Sequence, residues 1–217
     1  MTPDWPIYLI TDRRQVGDRG LVPTIESALR GGVRAVQLRE KDLPVRGLLA
    51  LARELRELTE RAGAHLLING RIDVMSAVGA DGVHLRADSL PTAAARRVIG
   101  SGKLLGVSSH SMDEAVRAEE EGADFVTFGP VYETPSKAGY GPPVGPEALR
   151  AVCRRLRIPV YALGGVSRAR IGEVFAAGAS GAAMISQIMS SGDSFTASRA
   201  CVERARDAMR HPSVDHP

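Results

Sequence analysis

Eight short β-rich runs are spaced along the chain with an amphipathic helical stretch between each pair, and this alternation constrains the fold more than any other feature. The runs are IYLIT (7–11), AVQLR (35–39), HLLIN (65–69), GVHLR (82–86), LLGVSS (104–109), FVTFG (125–129), PVYALG (159–164) and AAMIS (182–186). Strands alternating with helices build a parallel sheet, because a parallel return needs a crossover long enough to hold a helix. Near-continuous apolar strands mean that both sheet faces are covered. Eight such units in 217 residues predict a (β/α)8 TIM barrel, at the short end of a range of roughly 200 to 400 residues. An open doubly wound sheet is the alternative, but LITDRRQVGDRG after the first run does not supply its GxGxxG turn.

The length fits one domain, expected over residues 1–210. Gly31-Gly32, Gly79-Ala80, Gly122-Ala123 and Gly178-Ala179 each stand where a helix must stop before a strand, a place for left-handed glycine. Ser111-Met-Asp-Glu114 has the spacing of a capping box that opens the fifth helix. The longest connection, residues 132–145 with TPSKAGYGPP, is a candidate lid over the barrel mouth. The tail HPSVDHP (211–217) lacks an apolar pattern and is expected to be disordered.

Charge and composition remove several function classes. The net charge is +3, its basic residues are scattered along helices, and aromatics make up 4% of the chain, so the concentrated stripe or stacking platform of a nucleic-acid binder is not expected. A small anionic substrate fits the mild excess. The opening MTPDWPIYLITD has no basic stretch followed by an apolar run, and no run approaches the ~18 residues of a membrane span, so a cytoplasmic protein is expected. Cys153 and Cys201 fall in helical patterns and read as buried thiols rather than a bridge or metal pair.

A barrel of this kind carries its active site at the C-terminal strand ends. Reading those ends collects Asp12, Gln37, Arg39, Lys41, Asn69, Arg86, Ser108, His110, Thr134, Lys137, Gly164, Gly165 and Ser186 on one rim, which favours an enzyme or small-molecule binder. After the seventh run, Gly164-Gly165-Val-Ser167 leads into a helix, and after the eighth so does Ile185-Ser186; bare backbone amides with a hydroxyl form a phosphate-monoester cradle. Arg39 and Lys41 flank Glu40, so both are expected on one side of the strand end, where an anion could meet them together. His110 immediately precedes the capping serine and faces the positive end of a helix dipole, a field that disfavours the imidazolium and suits an acid–base group. His84 alternates with apolar neighbours and reads as a core or hydrogen-bonding residue.

The ordered set YLITD, QLREK, ING, ADGVHL, GVSSH, GADFVTFGPVYETPSK, GGV and ISQI resembles the thiamine phosphate synthase and thiazole tautomerase superfamily over nearly the whole chain. The resemblance implies that Gln37 through Lys41, Asn69, Ser108 and Lys137 hold a pyrimidine diphosphate in a synthase. It implies that Thr134, Gly165, Ile185 and Ser186 hold a thiazole phosphate, and Ser136, within the same TPSK run, is a further candidate substrate-binding residue.

Two departures stand out. Synthases carry magnesium-holding aspartates where this chain has Gly70 and Ser89, and glycine where it has Arg86, which sets a fixed positive charge beside the altered position. Asp88, one residue from Ser89, is the remaining carboxylate that could reach a metal. Gly70 and Glu133 resemble the tautomerase branch instead, in which a histidine after strand five is the acid–base group. The expectation is therefore a metal-free, cofactor-free thiazole tautomerase using His110, with Gln37, Arg39 and Lys137 on the substrate carboxylate. A magnesium-dependent thiamine phosphate synthase is the first alternative and a non-catalytic thiazole or thiamine phosphate binder the second. A homodimer is compatible with the family.

Overall fold

The computed structural model describes residues 3–86, 88–134 and 142–210. Among them, eight parallel strands close into a barrel in sequence order, the eighth pairing back onto the first. The strands are β1 (Ile7–Ile10), β2 (Ala35–Leu38), β3 (His65–Asn69), β4 (Gly82–Leu85), β5 (Leu104–Ser109), β6 (Phe125–Phe128), β7 (Val160–Leu163) and β8 (Gly181–Met184). The helices are α1 (Leu21–Arg30), α2 (Val45–Arg61), α3 (Ile72–Val78), α4 (Thr92–Ile99), α5 (Met112–Glu120), α6 (Gly145–Arg155), α7 (Ile171–Ala176), α8 (Ser186–Met189) and α9 (Ser194–Arg210). This is the (β/α)8 TIM barrel that the alternation predicts.

Each strand buries both faces for a different reason. Outward residues such as Ile7, Leu9, Val36, Leu38, Leu66 and Ile68 pack beneath the helices. Inward residues Trp5, Tyr8, Leu67, Leu104, Phe125 and Tyr161 fill the barrel itself. Four of the chain's nine aromatic residues (four Tyr, four Phe, one Trp) are spent here, with Phe125 5.6 Å from Trp5 and 5.5 Å from Tyr161 between ring centroids. Space for these rings comes from glycine on the next strand. A Cβ on Gly106 would lie 2.4 Å from the Phe125 ring and 2.5 Å from His84 Nδ1, and one on Gly181 would lie 2.5 Å from the Tyr161 ring.

The helix stops follow the glycine pattern. Gly79 ends α3 in the left-handed conformation at φ 64°, and Gly32, Gly122 and Gly178 also take positive φ. Ser111 caps α5, its side chain accepting from the Glu114 amide at 3.2 Å. Helix α9 packs against α1 and α7, closing the outer ring. Among the described residues, no helix is long and apolar enough to cross a membrane. Both cysteines are free, and burial pushes the Cys153 thiol up to about 12 and that of Cys201 up to about 11, so neither is a ready nucleophile. The tail 211–217 and residues 135–141 of the candidate lid lie outside the described residues.

Candidate functional site

The first polar layer inside the barrel is a hydrogen-bonded chain. The Gln37 side-chain amide donates to the Tyr8 hydroxyl at 3.0 Å, and Tyr8 lies 3.3 Å from His84 Nδ1. His84 Nε2 lies 3.0 Å from Ser108 Oγ, which also accepts from Thr127 at 3.4 Å. Because the Tyr8 oxygen takes the Gln37 proton, its own proton is directed to Nδ1, so Nε2 is the protonated nitrogen that donates to Ser108. The Ser108 proton is then left for whatever binds above it. Burial, with the Arg39 charge acting in the same direction, lowers the His84 pKa to about 3, so the ring is neutral at working pH. Sequence reasoning placed His84 as a hydrogen-bonding core residue but missed Tyr8 and Thr127, which are recognisable only once the barrel register sets them side by side.

Above this layer, the ends of β1, β2 and β4 carry a group of arginines. Arg39 is half-buried, and among the described residues its guanidinium makes no ion pair or hydrogen bond. Burial depresses its pKa; the positive charge of Arg86 acts in the same direction, against attraction from Asp12. Strand β2 ends at Leu38, so the expected side-by-side display of Arg39 and Lys41 does not come from strand alternation; Lys41 is exposed in the following turn. Glu40 instead turns inward, with 2% of its side chain exposed, accepting from Thr11 Oγ1 at 2.7 Å and the Arg13 amide at 3.0 Å.

The opposite side of the mouth is made by the loops after β7 and β8. Gly165 sits at φ 64°, and a Cβ there would lie 2.5 Å from the Glu133 carbonyl oxygen; one on Gly164 would lie 2.5 Å from Pro130. Their carbonyls are engaged, Gly164 O by the Tyr132 amide at 3.0 Å and Gly165 O by Arg170 at 2.8 Å. The loop therefore has amides rather than carbonyls to offer a ligand. Arg170 also stacks 4.3 Å from the Tyr132 ring centroid, and Gln187 accepts from the Arg168 amide at 3.1 Å, tying this loop to the one carrying Ile185 and Ser186. These staples were not foreseen from the sequence. Gly165→Ala should weaken thiazole phosphate binding about tenfold, since the added Cβ strains a left-handed residue and displaces the loop. Unchanged binding by titration calorimetry would show that the loop does not touch the ligand.

The remaining candidates are distributed as follows. Asn69 ends β3 half-buried, and Thr134 is half-buried at the edge of the described segment. Ser136 and Lys137 lie outside the described residues. His110 is exposed on the rim, where Glu114 reaches back to it: Oε2 accepts from the His110 amide at 2.7 Å and lies 3.2 Å from Nδ1. A carboxylate thus accompanies the ring, rather than the bare helix end that the sequence suggested.

The positions where magnesium would be held do not fit it. Gly70 offers no side chain, the Ser89 hydroxyl donates to the Arg86 carbonyl at 2.8 Å, and the Asp88 carboxylate is paired with Arg86 at 2.5 Å. Magnesium is usually bound through one or two carboxylates, and among the described residues no group of three His, Cys, Asp or Glu is gathered for a metal.

A family described as thiamine monophosphate synthase matches residues 7–188, which spans the barrel from β1 to α8. The chain belongs to this family. A Geobacter sulfurreducens relative named "Putative thiamine-phosphate synthase" is 58% identical over 170 residues, covering 78% of this chain and 80% of that one. A thiamine-phosphate synthase of Roseiflexus sp. (strain RS-1) is 44% identical over 168 residues, covering 77% of this chain and 71% of its own. Among solved structures, thiamine phosphate pyrophosphorylase from Pyrococcus furiosus superposes with a TM-score of 0.85 at 33% identity, covering 94% of this chain and 96% of that one. Membership of the thiamine monophosphate synthase family corrects the expectation of a thiazole tautomerase and of isomerase chemistry. Gly70, Ser89 and Glu133 carried that expectation, but the first two bear on how a cation would be held and none of the three specifies the bond that is made. The matches follow the barrel as a whole and point to the synthase type.

Proposed function

We propose that this chain is a transferase of the thiamine-phosphate synthase type, joining an aminopyrimidine diphosphate to a thiazole phosphate. The observation that carries the reading is a barrel mouth with two separate places for anions, arginines over β2 and β4 and the amide-lined loops after β7 and β8. A mouth of this kind also suits an isomerase of a carboxylated thiazole phosphate, and membership of the thiamine monophosphate synthase family is what favours transfer. In the transfer, the bond between the pyrimidine methylene carbon and the diphosphate oxygen breaks, and its electron pair leaves on pyrophosphate. The thiazole nitrogen lone pair forms the new carbon–nitrogen bond, giving a thiazolium. No proton is removed from carbon, so the demand on the protein is charge stabilisation and alignment rather than acid–base exchange.

The residues divide accordingly. Ser108, its hydroxyl oriented by His84, hydrogen-bonds the pyrimidine, with Asn69 beside it. Arg39, Lys41 and Lys137 receive the diphosphate. Gly164, Gly165, Ile185 and Ser186, with Thr134 and Ser136, hold the thiazole phosphate. Mixing the two substrates with the full-length protein should release one pyrophosphate for each thiamine phosphate formed. Pyrophosphate release without coupled product, or no release with or without added magnesium, would exclude the reading.

A further inference from the structure

We infer that Arg86, acting with Arg39, neutralises the diphosphate in this protein, in place of a divalent cation. The inference rests on the synthase reading for the identity of the diphosphate, and on rim geometry for everything else. Arg39, just past the end of β2, is a half-buried guanidinium with no hydrogen bond or ion pair among the described residues; Asp12 attracts it, and Arg86, just past the end of β4 on the same rim, repels it. Asp88 on Arg86 and Asp12 near Arg39 offset part of this positive charge, and a phosphate ligand supplies the remainder.

The carboxylates that could serve a cation are already committed. Asp12 is engaged by Arg14 at 3.2 Å and Gln15 at 2.9 Å, Glu40 by Thr11 and Arg13, and Asp42 by Arg13 at 2.5 Å. Asp73 is paired with Arg71, and Asp88 with Arg86. Asp88 holds the Arg86 side chain while half of it remains exposed, which positions the fork without burying it. Planar guanidinium forks match phosphate oxygens in pairs, so two of them can cover the charge that develops on a departing pyrophosphate.

The test uses inorganic pyrophosphate as the probe and the full-length protein, by titration calorimetry in EDTA and again in magnesium. Pyrophosphate should bind in EDTA, with affinity within about threefold of that in magnesium, and Arg86→Gly should weaken the EDTA value by about tenfold or more. Arg86→Lys should fall between them, since it keeps the charge and loses the fork. A Gly70→Asp, Ser89→Asp, Arg86→Gly variant should bind pyrophosphate only when magnesium is added; an added Cβ at Gly70 meets no atom within 4 Å, and its left-handed φ of 66° is one that aspartate adopts more readily than most side chains, at some cost in strain. Pyrophosphate binding by the wild type only in magnesium, or an Arg86→Gly variant that binds like the wild type in EDTA, would overturn the inference. Coupled thiamine phosphate synthesis separates the two proposals. Product in EDTA supports both, and product only in magnesium overturns this one and leaves the synthase reading. Absence of product under either condition, with Arg86-dependent pyrophosphate binding intact, retains the anion clamp and removes the synthase reading.

Discussion

Arg39→Ala should lower kcat/KM for the aminopyrimidine diphosphate about a hundredfold, the worth of two charge-assisted hydrogen bonds at roughly 1.5 kcal/mol each. The same change should leave the melting temperature unaltered or raise it. In the free protein this guanidinium gives up water without an ion pair or hydrogen bond among the described residues, and it repels Arg86. Among the described residues its favourable interactions are only the longer-range attractions of Asp12 and Glu40. Its neighbour Glu40 is the internal contrast. That carboxylate is almost completely enclosed and ties Thr11 and Arg13 to the end of β2, so Glu40→Ala should destabilise the protein by about 3 kcal/mol, as removing one member of a buried charged network does. Steady-state kinetics and thermal melts on both variants check the pair of expectations. An Arg39→Ala protein that melts well below the wild type would make Arg39 structural, and one that turns over normally would remove it from the diphosphate site.

That contrast also marks what could be read in the residues themselves. Arg39 and Glu40 are consecutive charges in QLREK, and local pattern treats them alike. Only the end of β2 at Leu38 and the packing of β1 against it set Glu40 into the scaffold and leave Arg39 as the residue proposed for the ligand. The eight strands were legible because each is a compact apolar run bounded by glycine, a helix cap or a charge, and the strand ends then located the mouth of the barrel. The hydrogen-bonded layer below the mouth was only partly legible. Tyr8, Gln37, His84, Ser108 and Thr127 come from five strands, and their meeting depends on closure and stagger, which no short window records. The reading of the chemistry failed differently. Gly70 and Ser89 are two positions within a motif set that is otherwise continuous from β1 to α8, and the family relationship follows the whole set. A lost carboxylate says how charge is managed, whereas the assembled pocket says which molecules meet.

Between pH 7 and pH 5 the folded protein should lose about 2 kcal/mol of stability through His84 alone. Its imidazole, buried and held by Tyr8 and Ser108, titrates at about 3 when folded, against 6.5 for the ordinary group. From pH 6.5 down to about 3 the unfolded chain therefore binds a proton that the folded chain refuses, and stability falls with pH across that window by up to about 1.4 kcal/mol per unit. Above pH 6.5 both states are neutral and the contribution is complete. Against a total of roughly 5 to 15 kcal/mol for a domain, this is large enough to move a urea midpoint measurably. His84→Gln keeps an acceptor for Tyr8 and a donor for Ser108 without a titrating ring, so its midpoint should vary less between pH 7 and pH 5 than that of the wild type. Parallel curves for the two proteins would mean that the folded ring takes up its proton at the same pH as the unfolded one, and the protonated ring would then have no nitrogen left to accept from Tyr8. With the donor order from Tyr8 to Ser108 intact, His84→Gln should retain thiazole phosphate affinity, because the ring lies beneath Ser108 and away from the loops after β7 and β8. His84→Phe should reduce turnover about tenfold or more by leaving the Tyr8 and Ser108 hydroxyls without their shared partner. Failure of the phenylalanine variant at the phosphate rather than the pyrimidine side would show that the chain of hydrogen bonds steadies the whole mouth instead of aiming one hydroxyl.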